Sequence, residues 1–426
     1  MPTTIVPAST ADSRKTGGRA ASSLARKLVR AQLRTIRTGR LSLQEGGRRQ
    51  TFGRPTEDFP LEAVIDVRDP GFFSKTAFGG DLGAAEAYMA GYWTTDDLTA
   101  AIRIVLHNQI ASGAVQGRLA RWAAPAHLLF HILRKNTPGR SRENIVAHYD
   151  LGNDFYRLFL DETLTYSCGI FETDASTLVE ASRAKYDRIC RKLRLGPDDN
   201  VLEIGTGWGG FALHAASRYG CRVTTTTISD RQHALASERI RDARLDQRIT
   251  LLKKDYRSLR GTFDKVVSIE MIEAVGHHYL EVFFGVCSDR LKPDGTMLLQ
   301  AITMADHTFE QHKSAVDFIK RYIFPGSCIP SVTAMCRAMS RKTDLRLVHL
   351  EDITPHYATT LRTWRENFLA RIEAVRSMGF PEPFIRMWEY YFCYCEAGFA
   401  ERYLGDVQML LAKPLNRRQP LLPELP

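Results

Sequence analysis

From about Asn144 onward, short apolar runs alternate with longer mixed runs. Val201–Ile204, Arg222–Thr227, Ile249–Lys253, Lys265–Ile269 and Thr296–Ile302 read as strands. Between them, Gly209–Tyr219, Arg231–Arg241 and His278–Leu291 read as helices. Repeated strand–helix units predict a parallel sheet wound on both faces, with ligands at the carboxyl ends of its strands. Lys292-Pro293-Asp294-Gly295 is a turn feeding the fifth strand. A long helical insertion, Phe309–Met339, comes next, then a strand at Leu345–Leu350. Helical segments near Thr359–Met378 and Pro383–Tyr403 precede a final strand at Asp406–Ala412.

The first third of the chain has a different texture. Residues 1–22 are rich in Ser, Thr, Ala and Gly and are expected to be disordered. From Leu24 to Arg37 a helical wheel puts Leu24, Leu28, Val29, Leu33 and Ile36 on one half, with Arg26, Lys27, Arg30, Arg34 and Arg37 on the other. Residues 60–115 read as a small separate unit, with a strand at Leu61–Val67 and Gly79-Gly80-Asp81-Leu82-Gly83 leading into Ala84–Trp93. Trp122–Leu133 is an apolar helix interrupted at Pro125, read as domain packing ahead of a cover for the substrate entrance or a lipid contact. Three parts result: a disordered and basic amphipathic segment (1–55), a small N-terminal domain making a membrane or dimer contact (56–140), and a catalytic domain (141–426) with an insertion at about 303–345.

Charge sharpens this division. Of the 426 residues, 14–54 hold twelve Arg or Lys and only Glu45 as an acid, an excess of +11 that surpasses the net +10 of the whole chain. The remaining body is therefore close to neutral. A basic amphipathic helix suits an anionic membrane surface, where each basic side chain contributes ~1 kcal/mol. Packing of its apolar face on its own domain is an equal reading, and an Arg-rich, acid-poor beginning also fits a transit peptide. No aromatics interleave with the charges, which speaks against a nucleic-acid arm.

No run of ~18 apolar residues suggests a spanning helix, and the first residues lack a signal-peptide core. Eight cysteines without metal spacing fit free thiols in a reducing compartment, so a cytoplasmic protein working peripherally at the inner membrane surface is expected. His277-His278 point about 100° apart on a helix and have no spaced acidic or Cys partners, so no metal is expected.

The most telling run is Val201-Leu202-Glu203-Ile204-Gly205-Thr206-Gly207-Trp208-Gly209-Gly210, a buried strand ending in an acid and a glycine-rich turn. Glycines there let a ligand lie against the main chain. A G-x-G alone is weak, since dinucleotide folds use one too, but its spacing departs from their fingerprint. With Glu203 two residues ahead of the first glycine, the run resembles motif I of class I S-adenosylmethionine (SAM) methyltransferases, where such a carboxylate lies near the methionyl amine.

Four further stretches point to one family. They are His148–Tyr156, Leu164-Thr165-Tyr166-Ser167-Cys168, Ile269-Glu270-Met271-Ile272-Glu273-Ala274-Val275-Gly276, and Tyr322-Ile323-Phe324-Pro325-Gly326 with Ile329-Pro330-Ser331. In this order, from about Asn144 to Ala412, they resemble the cyclopropane fatty acid synthases and their mycolic-acid relatives. The resemblance implies an α/β fold with a doubly wound seven-stranded sheet, a helical lipid-binding insertion and a smaller N-terminal domain. It implies SAM among Tyr166, Ser167, Glu203, Gly205, Gly207, Thr227, Ile228, Gln232 and Asp255. Thr227-Ile228-Ser229-Asp230-Arg231-Gln232 stands where a dinucleotide fold supplies a ribose-binding carboxylate; Asp230 is expected to start a helix at the surface.

The implied reaction is methyl transfer to a cis double bond of an unsaturated phospholipid acyl chain. An olefin is a poor nucleophile and becomes a cation, which survives only where water is excluded. A base then takes a proton from the new methyl group and a cyclopropane ring closes. In the family that base is bicarbonate, and the positions that hold it correspond to Cys168 through its N–H, Glu273, Gln300, Ile302 through its N–H, and Tyr357. Taken alone, Tyr357 reads as packing and Cys168 as a small buried side chain; Glu273, at the end of strand four, is the stronger candidate.

Two departures stand out. Gln300 replaces the family's His, and an amide can donate to an anion without carrying charge; Ala274 stands where many relatives have His. Both put ring closure in more doubt than methyl transfer and leave a methyl- or methylene-branched product open. The likeness also leaves open a homodimer. A nicotinamide-dependent oxidoreductase and a non-catalytic lipid-binding protein are the competing classes.

Overall fold

The computed structural model describes residues 17–112, 151–419 and 421. Residues 1–16 of the expected disordered start, the Trp122–Leu133 segment and the first three residues of the His148–Tyr156 motif lie outside them.

The N-terminal unit runs α1 (Gly17–Leu33), β1 (Arg40–Glu45), β2 (Arg48–Phe52), β3 (Glu62–Val67), α2 (Gly71–Met89), β4 (Trp93–Thr95) and α3 (Leu98–Ala111). Its four-stranded sheet has the order β2-β1-β3-β4. Gly46 and Gly47, both at positive φ, make the two-residue turn between β1 and β2. The expected boundary at residue 55 therefore falls inside a folded unit: β1 and β2 share a sheet with β3. Much of the apolar stripe of α1 is spent on packing, although Leu24 stays exposed and Leu28 is half-buried. Ala25, Val29 and Leu33 are buried, and Arg26 and Arg30 both pair with Glu45 on β1. The Gly79–Gly83 stretch lies inside α2, which is interrupted at Gly80, whose φ of 59° and ψ of −140° break the helical path.

The catalytic unit continues with α4 (Asn153–Arg157), α5 (Leu178–Leu193), β5 (Asn200–Ile204), α6 (Gly210–Tyr219), β6 (Arg222–Thr227), α7 (Asp230–Asp242), β7 (Ile249–Lys253), β8 (Phe263–Ile269), α8 (Ile272–Val275), α9 (Leu280–Arg290) and β9 (Leu291–Met304). Then follow α10 (Asp306–Ser314), α11 (Val332–Lys342), β10 (Arg346–Asp352), α12 (Thr354–Ala370), α13 (Ile372–Ser377), α14 (Glu382–Ala400) and β11 (Leu404–Ala412). The sheet order is β10-β11-β9-β8-β5-β6-β7, parallel from β9 to β7, with β11 antiparallel to both its neighbours. Between β8 and β9 the ladder jumps from Leu291 to Thr296, so Lys292–Gly295 bulge outward as the expected turn.

The insertion is helical in pieces rather than as one run. Between α10 and α11 lie a π-helical turn, Ile319–Ile323, and an irregular stretch through Pro325, Gly326 (φ 80°) and Pro330. Prolines that cannot donate and a left-handed glycine end a helix there. The chain visits β5, β6 and β7 on one side, then crosses to β8. The switch point lies between β5 and β8, and ligands bind at the carboxyl end of such a crevice.

Candidate active site

At the end of β5, Gly205 and Gly207 take φ values of 105° and 52°. A Cβ on Gly205 would come within 3.2 Å of Met271, whereas one on Gly207 would meet nothing within 4 Å. The turn thus needs glycine at the first position for its conformation and presents bare backbone to a cavity at the second. Tyr166, Ser167, Glu203, Ile228, Thr227, Gln232 and Asp255 line the same cavity as these two glycines.

Their partners explain how they are held. Glu203 is buried and accepts from Thr225 Oγ1 at 2.6 Å; burial pushes its carboxyl up to about 8 against that bond. Thr227 Oγ1 donates to Gln232 Oε1 at 2.9 Å, which turns the Gln232 amide nitrogen away from Thr227. Burial works to raise the Asp255 carboxyl, but hydrogen bonds from the Arg257 N–H and guanidinium hold it below the usual range. Asp230 is exposed, opens α7 beside its Ser229 cap, and pairs with Lys253. Ser167 Oγ accepts from Lys185 Nζ at 2.5 Å.

Glu270, Glu273, Ile302 and Tyr357 line the far wall of this cavity. Glu273 Oε1 accepts from the Ile302 N–H at 2.6 Å, while its Oε2 is buried with no protein partner among the described residues. Burial, then the neighbouring Glu270 charge, push the Glu273 carboxyl up to about 8. Cys168 and Gln300 are wholly buried and do not reach the cavity. They meet instead at a residue to which the sequence assigned no role. Glu270 Oε1 accepts from the Cys168 N–H at 2.9 Å and from Gln300 Nε2 at 2.7 Å; its Oε2 accepts from Tyr357 O–H at 2.5 Å.

The donors expected to cradle bicarbonate are therefore spent on protein carboxylates: three on Glu270, and the Ile302 N–H on Glu273. The residues present do not fit a further anion. Burial first, and Glu270 next, push the Tyr357 phenol well above its ordinary range, so it stays a donor. The Cys168 thiol is likewise pushed well up by burial and sits between Gly169 O and the Asp406 side chain, while the Cys168 N–H serves Glu270.

The orientation of Gln300 follows from a chain of obligate donors. Lys192 Nζ can only donate, and it does so to Gln408 Oε1 at 2.7 Å. Gln408 must then turn its Nε2 to Gln300 Oε1 at 3.0 Å, and Gln300 must turn its own Nε2 to Glu270. Gln408 and Gln300 are directly opposed across β11 and β9. Two buried groups complete the surroundings. Lys185 of α5 is drawn below its usual range by burial, against the pull of Glu270. Asp406 is pushed well up by burial and the Glu270 charge. Neither was a candidate from sequence, since Lys185 sits in a stretch dense with basic residues and Asp406 opens a strand.

Glu270 also carries strain. Its φ is +47°, a left-handed conformation costing a non-glycine residue on the order of 1 kcal/mol. Such outliers persist where surroundings over-determine them, characteristically at functional sites. Beyond Tyr357 the cavity continues between Ile319, Phe324, Pro325 and Ile329 of the insertion and Leu361, Phe399 and Leu404 from α12, α14 and β11. This arm is apolar enough for a hydrocarbon.

A seven-stranded sheet with one reversed strand, a bare glycine turn after the first strand of the parallel run, and polar groups at its switch point define a class I SAM-dependent methyltransferase. The chain belongs to the mycolic acid cyclopropane synthetase family, whose model matches residues 136–409. It is 39% identical over 348 residues to the tuberculostearic acid methyltransferase UfaA1 of Mycobacterium tuberculosis, covering 78% of this chain and 79% of that one. It is 35% identical over 352 residues to the cyclopropane-fatty-acyl-phospholipid synthase of Escherichia coli K12, covering 82% and 86%. Among solved structures it resembles the mycolic acid cyclopropane synthase CmaA1 complexed with SAH and CTAB, at a TM-score of 0.60 and 31% identity, covering 64% of this chain and 98% of that one. The protein is thus an enzyme that transfers methyl groups from SAM in a family acting on lipid acyl chains. The nicotinamide reading falls with this membership; β6 ends in Thr227, with no carboxylate for a dinucleotide ribose.

Proposed function

We propose that this enzyme methylates the cis double bond of unsaturated phospholipid acyl chains and closes the product to a cyclopropane ring. The observation that carries the reading is one continuous cavity joining the glycine turn, the Glu270–Tyr357 cluster and an apolar arm. SAM, bound as a substrate along Gly205 and Gly207, supplies a sulfonium methyl. As that methyl reaches one olefinic carbon, the sulfur keeps the pair of the broken S–C bond. The π pair forms the new C–C bond, and the other carbon is left positive. The apolar arm keeps water from that cation. Loss of a proton from the new methyl to a carboxylate lets the C–H pair close the ring.

The anionic membrane surface enters through the exposed Lys27, Arg34, Arg37 and Arg40, which face away from the packed stripe of α1 and the strand after it. Among the described residues no helix is long and apolar enough to cross a membrane. We therefore place the enzyme peripherally at the cytoplasmic face. A methylene-branched product, formed by the same proton loss after a hydride shift, is the second reading; Gln300 and the methyltransferase name of the UfaA1 relative favour it.

Incubation with methyl-labelled SAM and vesicles of cis-unsaturated or fully saturated phosphatidylglycerol tests the proposal. Label is expected in the acyl fraction of the unsaturated vesicles alone, and fragmentation of the product separates ring from methylene. Absence of label while calorimetry shows SAM bound would end it.

A further inference from the structure

We infer that Glu270 is the catalytic proton acceptor of this site, a carboxylate built into the chain in place of the bicarbonate expected by resemblance. The inference rests on the lipid-methylation reading above and names the group that completes it.

A carboxylate and bicarbonate share a planar O–C–O and the same set of acceptor lone pairs. Glu270 occupies the point on which the expected donors converge, with the Cys168 N–H and Gln300 Nε2 on one oxygen and the Tyr357 hydroxyl on the other. A second anion there would find no free donor among them and would face the Glu270 carboxylate itself. Cys168 and Gln300 lie behind Glu270 and out of the cavity, so an ion entering from the cavity meets Glu270 first.

Two oddities of the chain then explain each other. Bicarbonate arrives from solution, and a partner able to carry positive charge helps hold it. A tethered carboxylate needs no such capture; it needs a neutral donor that fixes its direction without pairing away its charge. Gln300, oriented through Gln408 and Lys192, is that donor. The left-handed backbone at Glu270 aims its side chain into the cluster, and the three hydrogen bonds keep it there.

In the step itself a Glu270 oxygen accepts the proton from the transferred methyl carbon. The C–H electron pair becomes the third ring bond, or the methylene π bond after a hydride shift. Glu270 is left as a neutral acid that returns its proton to water when product leaves. Nothing is oxidised or reduced.

The test compares parent, Glu270→Gln and Glu270→Gly in buffer stripped of carbon dioxide and then resupplied with bicarbonate. Parent turnover is expected to be indifferent to bicarbonate. Glu270→Gln should lose about 100-fold or more, as general bases do, while binding SAM within a few-fold of parent. Glu270→Gly relieves the backbone strain and opens the cradle, so its turnover should rise saturably with bicarbonate. In parallel, the line width of 13C-bicarbonate should report binding to Glu270→Gly and none to parent. A parent that needs bicarbonate or binds it at this site, or a Glu270→Gln that turns over at the parent rate, would overturn the inference. If no protein labels any unsaturated lipid, the substrate reading fails, and the 13C measurement still decides whether Glu270 holds the anion's place.

Discussion

Replacing Glu273 by Gln should flatten the pH dependence of stability, by an amount the structure allows to be worked out. Glu273 is enclosed on the cavity wall, one oxygen on the Ile302 N–H and the other without a protein partner. Burial and the Glu270 charge lift its carboxyl from 4.5 to about 8. A raised carboxyl stabilises the folded state fully below the unfolded value, and that contribution is lost as pH climbs towards the folded value. The window is therefore pH 4.5 to about 8. At ~1.4 kcal/mol per unit, the loss between pH 5 and pH 8 comes to about 3 kcal/mol. A glutamine keeps the acceptor for Ile302, mimics the protonated acid and has no proton to release. Urea unfolding followed by the fluorescence of buried Trp208, Trp364 and Trp388 at the two pH values reads the difference. Glu203, also raised, contributes equally to both proteins and cancels; Asp406, raised by burial and in part by the Glu273 charge, loses that part in the variant, which flattens the profile in the same direction. If parent and variant lose the same stability, Glu273 is not held neutral by its surroundings and the reasoning fails.

Tyr357→Phe deletes the phenol donor to Glu270 Oε2; turnover should fall at least ~10-fold with SAM affinity unchanged by calorimetry, and an unaltered rate would remove Tyr357 from the cluster. Gly207→Ala puts a methyl on backbone that faces the cavity at φ 52°; SAM affinity should drop about tenfold or more, a cost of ~1.4 kcal/mol, with the circular dichroism of the folded chain retained. Cys168→Ala leaves the N–H on Glu270 in place; it should keep most of the parent turnover, and loss of activity would show that the thiol takes part.

What could be read in the sequence depended on whether the signal was local. The strands from Val201 to Ala412 are marked by their own apolar composition, and the glycine turn by a conformation only glycine adopts without strain. The residues lining the cavity were recoverable because motif and resemblance name positions. Glu270 escaped for the opposite reason. It stands inside a quoted motif, yet its meaning lies in contacts with Cys168, Gln300 and Tyr357, between 30 and 102 residues away in the chain. One signal was present: an acid directly after a buried strand, in a chain where Gln had replaced the expected His. Lys185 and Lys192 look like solvent-facing charges in Arg183–Arg194, and only the turn of α5 buries them. Residues 40–52 were hidden by their charge. Three arginines and exposed polar positions masked the Leu41, Leu43 and Phe52 core and the Gly46-Gly47 turn that fold them into a hairpin. The break in the insertion was written in Pro325 and Pro330, but helical composition on both sides outweighed it.

The central claim is that a proton leaves the transferred methyl group itself, taken by a carboxylate at the end of the cavity. Single-turnover reaction with SAM carrying a fully deuterated methyl, on vesicles of cis-unsaturated phospholipid, addresses it most directly. The account predicts that the modified acyl chain retains two of the three deuteriums, and that release of the third is lost in Glu270→Gln. Products keeping all three would contradict it, because the proton would then have come from the acyl chain and the site would be an ordinary methyl-transfer site with no base aimed at the new carbon.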